Sequence, residues 1–167
     1  AFSQNGYVIS SSRELPVSAR VDVLVVGGNE AGIAAAWKAA RAGASVLIVT
    51  DNYHFSDDVS AKARYWLEAD EIPSESFSKE LFGTHSGGSE AYLIPWKYKM
   101  KIENMLRDAG VEYHYSCRAV AALEDGAGDI AGVAVANKAG VQAIIAKIVI
   151  DATPTGAIAS MMGAART

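Results

Sequence analysis

Apolar and polar residues fall in blocks along this chain, and the block lengths predict its elements. Residues 21–26 (VDVLVV) and 46–49 (VLIV) are short apolar runs, the pattern of strands buried on both faces of a parallel sheet. Between them residues 31–42 are rich in alanine, with Ile33, Trp37 and Ala40 on one helical face and Gly43 as a helix stop. A second helix is expected over residues 95–109. Tyr98, Ile102, Met105, Leu106 and Ala109 form its apolar face, Pro95 suits its first position, and Gly110 ends it. Residues 111–115 read as a third strand. Short strands at 119–123, 130–136 and 141–145, separated by turn-forming residues, predict a three-stranded antiparallel meander packed as a separate small layer. Residues 148–150 return to the main sheet, and a further helix is expected from about Gly156. The fold class is therefore α/β, a Rossmann-like domain with a parallel central sheet plus the meander.

The remaining stretches are less regular. Residues 1–20 read as a polar N-terminal extension with a short edge strand at 7–9, and residues 21–167 as the domain proper. Residues 52–94 are rich in Ser, Asp, His and Gly. A short helix is expected within 60–69, and loop over 70–79 and 83–89. A connection this long usually carries function or covers a site.

The first strand, helix and second strand form a βαβ unit with a glycine-rich turn. In such a unit the first glycine makes the tight turn and the second admits a pyrophosphate close to the backbone. The third lets the helix pack on the sheet, while the helix N-terminus offers free N–H groups to the anion. Here Gly27, Gly28 and Gly32 are present, and the second glycine position holds Asn29. The Asn29 side chain is expected to point where a phosphate approaches, so a bound dinucleotide requires it to turn away or to donate its amide to a phosphate oxygen, and Asn29→Gly is expected to leave binding equal or stronger. Glu30 adds a negative charge beside the expected anion, and Ala31 completes the turn. Thr50 ends the second strand, where an acid would bind a ribose, and Asp51 follows one residue late.

Composition narrows the field. The 167 residues are 50% hydrophobic and 8% aromatic, which suits one layered α/β domain. A net charge of −4 without a basic stripe argues against a nucleic-acid partner, and no apolar run approaches the ~20 residues of a membrane span. The single cysteine, Cys117, reads as a small buried hydrophobe. His54, His85 and His114 have no metal-site spacing, so no metal is expected, and no nucleophile–base arrangement identifies catalytic residues. A chain starting at Ala1 reads as processed or excised, which permits an exported bacterial protein without fixing its compartment.

Three segments together resemble the N-terminal, FAD-binding part of the FAD-dependent oxidoreductases of the glutathione-reductase-like flavoprotein group. They are VVGGNEAGIAAAWKAARAGASVLIV, MLRDAGVEYHYSCRAVAALEDG and GVAVANKAGVQAIIAKIVIDAT. The resemblance runs from about Arg13 to the C-terminus, with little similarity over residues 51–91. It implies that Gly27, Gly28 and Gly32 surround the FAD pyrophosphate and that Thr50 or Asp51 takes the adenosine ribose. It further implies that Ala119 offers backbone groups to adenine, and that Ala152 and Thr153 pass near the pyrophosphate or ribityl chain. The family's Asp-Ala-Thr-Gly turn is kept as Asp151-Ala152-Thr153 but continues with Pro154, and Thr50 stands where glutamate is usual. The resemblance also implies a missing substrate domain, hence a fragment or a subunit that needs another chain or a C-terminal part. The other readings are a non-catalytic, FAD-free Rossmann-like structural subunit and a nicotinamide-nucleotide domain.

Overall fold

The computed structural model describes residues 14–83, 85, 87–89 and 91–164; the edge strand expected at 7–9 lies outside them. The elements run β1 (Val17–Val26), α1 (Glu30–Arg41), β2 (Val46–Val49), α2 (Asp57–Lys62), β3 (Trp66–Leu67), α3 (Ser76–Phe82) and β4 (Ala91–Tyr92). They continue with α4 (Pro95–Asp108), β5 (Glu112–His114), β6 (Arg118–Glu124), β7 (Ile130–Asn137), β8 (Gly140–Asp151) and α5 (Ala157–Met161). Six strands form one sheet in the order β5-β2-β1-β8-β7-β6, and β3 pairs with β4 apart from it. Strands β5, β2, β1 and β8 are mutually parallel, whereas β6, β7 and the first half of β8 form the antiparallel meander.

The alternation of layers follows from two apolar clusters. On one face Ile33 and Trp37 of α1, Ile102 and Leu106 of α4, and Phe77 and Leu81 of α3 pack on Val23, Val25, Val46 and Ile48. On the other, Val133, Val135, Ile144 and Cys117 cover Leu24, Val26, Leu47 and Val49, with Ile158 of α5 beside them. Strands β1 and β2 are thus buried on both faces, as their unbroken apolar runs require.

The structure differs from the sequence reading at several elements. The meander covers the sheet as a layer, but it is not detached from it. The strands expected at 141–145 and 148–150 are one strand, β8, because no turn former separates them. Its first half pairs with β7 as far as Ile145, and it pairs with β1 through to Asp151. Strand β1 begins at Val17, four residues early, because backbone pairing with β8 recruits a mostly exposed segment. The loop expected at 70–79 contains the start of α3, held by Phe77 and Leu81 one turn apart, with Phe77 edge-on to Trp37 at 5.6 Å. The short helix is α2, at residues 57–62 rather than 60–69, and Trp66–Leu67 is strand.

Candidate cofactor-binding site

A cleft of about 380 Å³ opens at the carboxyl ends of the parallel strands, where ligands of open α/β sheets bind. Gly27 and Gly28 come to it from β1, Thr50 to Asn52 from β2, Arg118 and Ala119 from β6, and Thr153 to Thr155 from β8; Asp57 of α2 and Cys117 add to its lining.

The glycine turn is stitched to the β8 turn with no room to spare. Gly27 has φ +120°, and a Cβ there would lie 2.4 Å from the Ala152 carbonyl oxygen. A Cβ on Gly32 would meet the Gly27 oxygen at 2.5 Å and Ala152 Cβ at 2.9 Å. At Gly28 a Cβ would crowd Thr50 Oγ1 at 3.0 Å and Phe55 at 3.2 Å, so glycine keeps this wall of the cleft low.

Asn29 does not point into the cleft. It is the N-cap of α1: its Oδ1 accepts from Gly32 N at 2.9 Å, and its Nδ2 donates to the Ala152 oxygen at 2.8 Å. The side chain joins the two turns, so its presence at a glycine position is explained by local structure. The expectation that Asn29→Gly leaves binding equal or stronger is therefore revised. Asn29→Ala should cost about 2 kcal/mol, the sum of a lost cap and a lost interloop hydrogen bond, and Asn29→Gly about 1 kcal/mol. Thermal unfolding of both variants checks this; an unchanged Tm for Asn29→Ala would show that neither bond contributes.

Glu30 does not face the anion position either. Its Oε1 accepts from Ser56 Oγ, from Tyr98 OH at 3.3 Å and from Val59 N at 3.1 Å, and its Oε2 from Asp58 N at 3.1 Å. Burial, together with the adjoining Glu30 carboxylate, pushes the Tyr98 hydroxyl well above the ordinary tyrosine range despite its contact with Ser56. At the start of α1, Gly32 N is taken by Asn29 Oδ1 and Ile33 N by Asn29 O, leaving the Glu30 and Ala31 amides without a partner among the described residues. Unpaired amides at a helix N-terminus are groups that could hold an anion.

The β8 turn is organised by Asp151. Its Oδ1 accepts from Thr153 N at 3.0 Å and Thr153 Oγ1 at 2.7 Å, and its Oδ2 from Ile158 N at 2.8 Å and Ala159 N at 3.0 Å. Burial would raise the Asp151 pKa, but the bonds from Ala159, Thr153 and Ile158 outweigh it and hold the carboxyl below its ordinary range. Pro154 fits because Gly156 N closes the turn back on Thr153 O at 3.3 Å, placing proline second in a four-residue turn, where its fixed φ is favoured. The N–H that proline lacks is not needed there.

At the other end of the cleft Thr50 is 3% exposed, packed under Gly28. The accessible acid is Asp51, whose carboxylate pairs with Arg118 at 3.2 Å. Ala119 lies on β6, an edge strand of the sheet, so one side of that strand has no strand partner among the described residues. Burial raises the Cys117 thiol pKa, against a weak contact from Asn137, as expected of a packed hydrophobe.

Of the eleven candidate residues, Gly27, Gly28, Thr50, Asp51, Ala119 and Thr153 line the cleft. Asn29, Gly32 and Ala152 hold its floor together, the Ala31 amide is free at the helix start, and the Glu30 side chain is turned elsewhere. Sequence reasoning missed Arg118, Asn52 and Asp57, which sit in segments without a motif. No group of acidic, histidine or cysteine side chains suited to a metal ion occurs among the described residues, and no described helix is long and apolar enough to cross a membrane.

Comparison with known proteins gives this geometry a lineage. The family model described as FAD dependent oxidoreductase matches residues 22–167. The chain belongs to the FAD-dependent oxidoreductase family. FAD is the cofactor of this family, and the matches name this family rather than the narrower glutathione-reductase-like grouping. A thiamine thiazole synthase of Aeropyrum pernix is 36% identical over 77 residues, covering 39% of this chain and 28% of the synthase. Two solved structures share the fold. THI4 of Thermovibrio ammonificans superposes with a TM-score of 0.67 at 18% identity, over 86% of this chain and 61% of that one. A geranylgeranyl bacteriochlorophyll reductase-like protein of Thermoplasma acidophilum gives 0.64 at 19%, over 87% and 42%. The flavoprotein chain thus spans less than two thirds of the length of each of these relatives.

The cleft suits FAD chemically. Free amides and an open Gly28 wall suit a pyrophosphate, and an accessible carboxylate with an outer strand edge suits a ribose and an adenine.

Proposed function

We propose that this chain is the FAD-binding portion of a flavin-dependent oxidoreductase, completed by another chain or by a further C-terminal part. The observation that carries this reading is the stitched glycine turn, beside which the Glu30 and Ala31 amides at the start of α1 have no partner among the described residues. In this reading those amides hold the pyrophosphate, Gly27, Gly28 and Gly32 keep the approach open, and Asp51 accepts from the adenosine ribose. Ala119 offers its backbone to adenine, and Ala152 and Thr153 flank the phosphates. Bound FAD supplies the redox chemistry; the protein orients it and excludes water around it.

Exposed apolar surface supports the need for a complement. Beyond Ile145 the meander side of β8 has no strand partner among the described residues, and Ile148 there is 56% exposed. Trp96 is also exposed, at 59%. Such side chains are available for contact with further protein.

The test is a titration of FAD into the purified protein, read by flavin fluorescence. Saturable binding of about micromolar strength or tighter is expected, worth ~8 kcal/mol, with unmodified flavin released on denaturation. A protein that takes up no FAD would instead be the FAD-free structural subunit.

A further inference from the structure

The cleft wall formed by residues 50–57 is tied at its start, where Thr50 N donates to His114 O at 3.1 Å, Cys117 N to Thr50 O at 2.8 Å and Ser116 N to Asn52 O at 2.9 Å, and by buried Phe55, but its far end is held from the glycine turn. It carries Thr50, Asp51, Asn52 and Asp57 into the cleft, and Asn52 Nδ2 donates to Asp57 Oδ1 at 2.8 Å across its own loop. It ends at Ser56, which is fully buried and left-handed at φ 72°. That conformation is uncommon for serine and costs free energy unless surrounding bonds enforce it. The enforcing bonds come from the glycine turn. Ser56 N donates to Gly28 O at 2.7 Å, and Ser56 Oγ donates to Glu30. Glu30 also accepts from Asp58 N and Val59 N, so a side chain from the first turn of α1 caps the first turn of α2, whose own N-cap residue makes no side-chain cap.

We propose that Glu30 is a positioning residue for the cofactor: its carboxylate locks Ser56 and the start of α2, and thereby holds the 50–57 segment at the distance from Gly28 that the cleft requires. This rests on the FAD-binding reading above. The charge that looks misplaced beside a pyrophosphate is spent on two backbone amides and two hydroxyls. The carboxylate does not line the cleft, while the Glu30 amide has no partner among the described residues. Loss of the carboxylate leaves those donors without their acceptor and releases Ser56 toward ordinary backbone angles, so the wall moves although no group touching the cofactor has changed.

The experiment compares Glu30→Ala, Glu30→Gln and Ile102→Val in the whole chain. Ile102 is fully buried on α4 and does not line the cleft, so its variant controls for lost stability alone. Three readouts are taken: FAD affinity by fluorescence, Tm, and amide hydrogen exchange at Asp58 and Val59 without cofactor. Glu30→Ala should bind FAD about tenfold more weakly or worse, the scale of one charged hydrogen bond, with faster exchange at both amides. Glu30→Gln, which keeps one acceptor oxygen, should recover part of both. Ile102→Val should stay within about twofold of wild type in affinity, as expected of an independent site. Glu30→Ala binding as tightly as wild type, or weakened only in proportion to its Tm along the Ile102→Val trend, overturns the proposal. A wild-type protein that takes up no FAD overturns the functional reading and this one with it.

Discussion

Gly27→Val is expected to abolish FAD binding and to destabilise the fold by about 3 kcal/mol or more, the combined scale of an overpacked contact and a strained backbone. The two causes act at one atom. A side chain at this position meets φ +120°, which β-branched residues avoid, and its Cβ would sit 2.4 Å from the Ala152 oxygen. Relief requires the β1 and β8 turns to separate. Separation breaks the Asn29 Nδ2 bond to Ala152 O and shifts the Ala152 N bond to Val26 O, now 2.8 Å. Gly32→Val should behave alike, since its obstacles are also backbone and a rigid methyl. Thermal unfolding and flavin retention measured together decide the matter. A folded Gly27→Val protein that still binds FAD would place the site elsewhere.

The second large effect is expected from Asp151→Ala. One carboxylate holds Thr153 and the first turn of α5, and its removal leaves several amides at a buried helix start without acceptors. Water can reach part of this turn, so the cost is set at about 2 kcal/mol rather than the sum of the bonds. The variant should also alter the response to acid. The native carboxyl pKa lies below that of an ordinary aspartate, so its contribution is complete above the ordinary value and is lost as pH falls through the lower native one. Asp151→Ala should accordingly lose stability at neutral pH and show a shallower decline below pH 3.8 than wild type. Equal acid limbs would show that Asp151 is not held in this way. Because α5 packs Ile158 against the meander cluster, fluorescence of bound FAD should report the same loss through the displaced Thr153 turn.

How much of this was legible in the sequence depended on whether one local signal was sufficient. Apart from the early start of β1, the βαβ unit was read nearly to the residue because apolar runs, an alanine-rich helix and glycine punctuation all agree there. Helix α4 was equally clear from Pro95 and its apolar stripe. The site glycines were legible because their reason is steric and local. Asn29 and Glu30 were not. Their partners lie at Ala152, Ser56, Asp58, Val59 and Tyr98, brought close only by the fold. Read alone, each looked like damage to a phosphate site; in place, each joins two loops. Helix α3 was missed because two apolar anchors in a polar stretch give too weak a period, and tertiary packing on Trp37 supplies the rest. Arg118 was missed for a different reason: a single cation on an edge strand has no pattern until Asp51 is seen opposite it.

The continuity of β8 bears on how this domain can be taken apart. An insertion can be excised when the chain enters and leaves it at neighbouring points of an otherwise complete core. The meander does not meet that condition, because its last strand is also the central-sheet strand that ends in Asp151. Cutting after Ile145 would sever the cofactor turn from its support, and deleting β6 and β7 would bare Leu24, Val26, Leu47 and Val49. The tip of the β6–β7 hairpin, around the exposed residues 125–129, offers a place to shorten or to graft without disturbing either role.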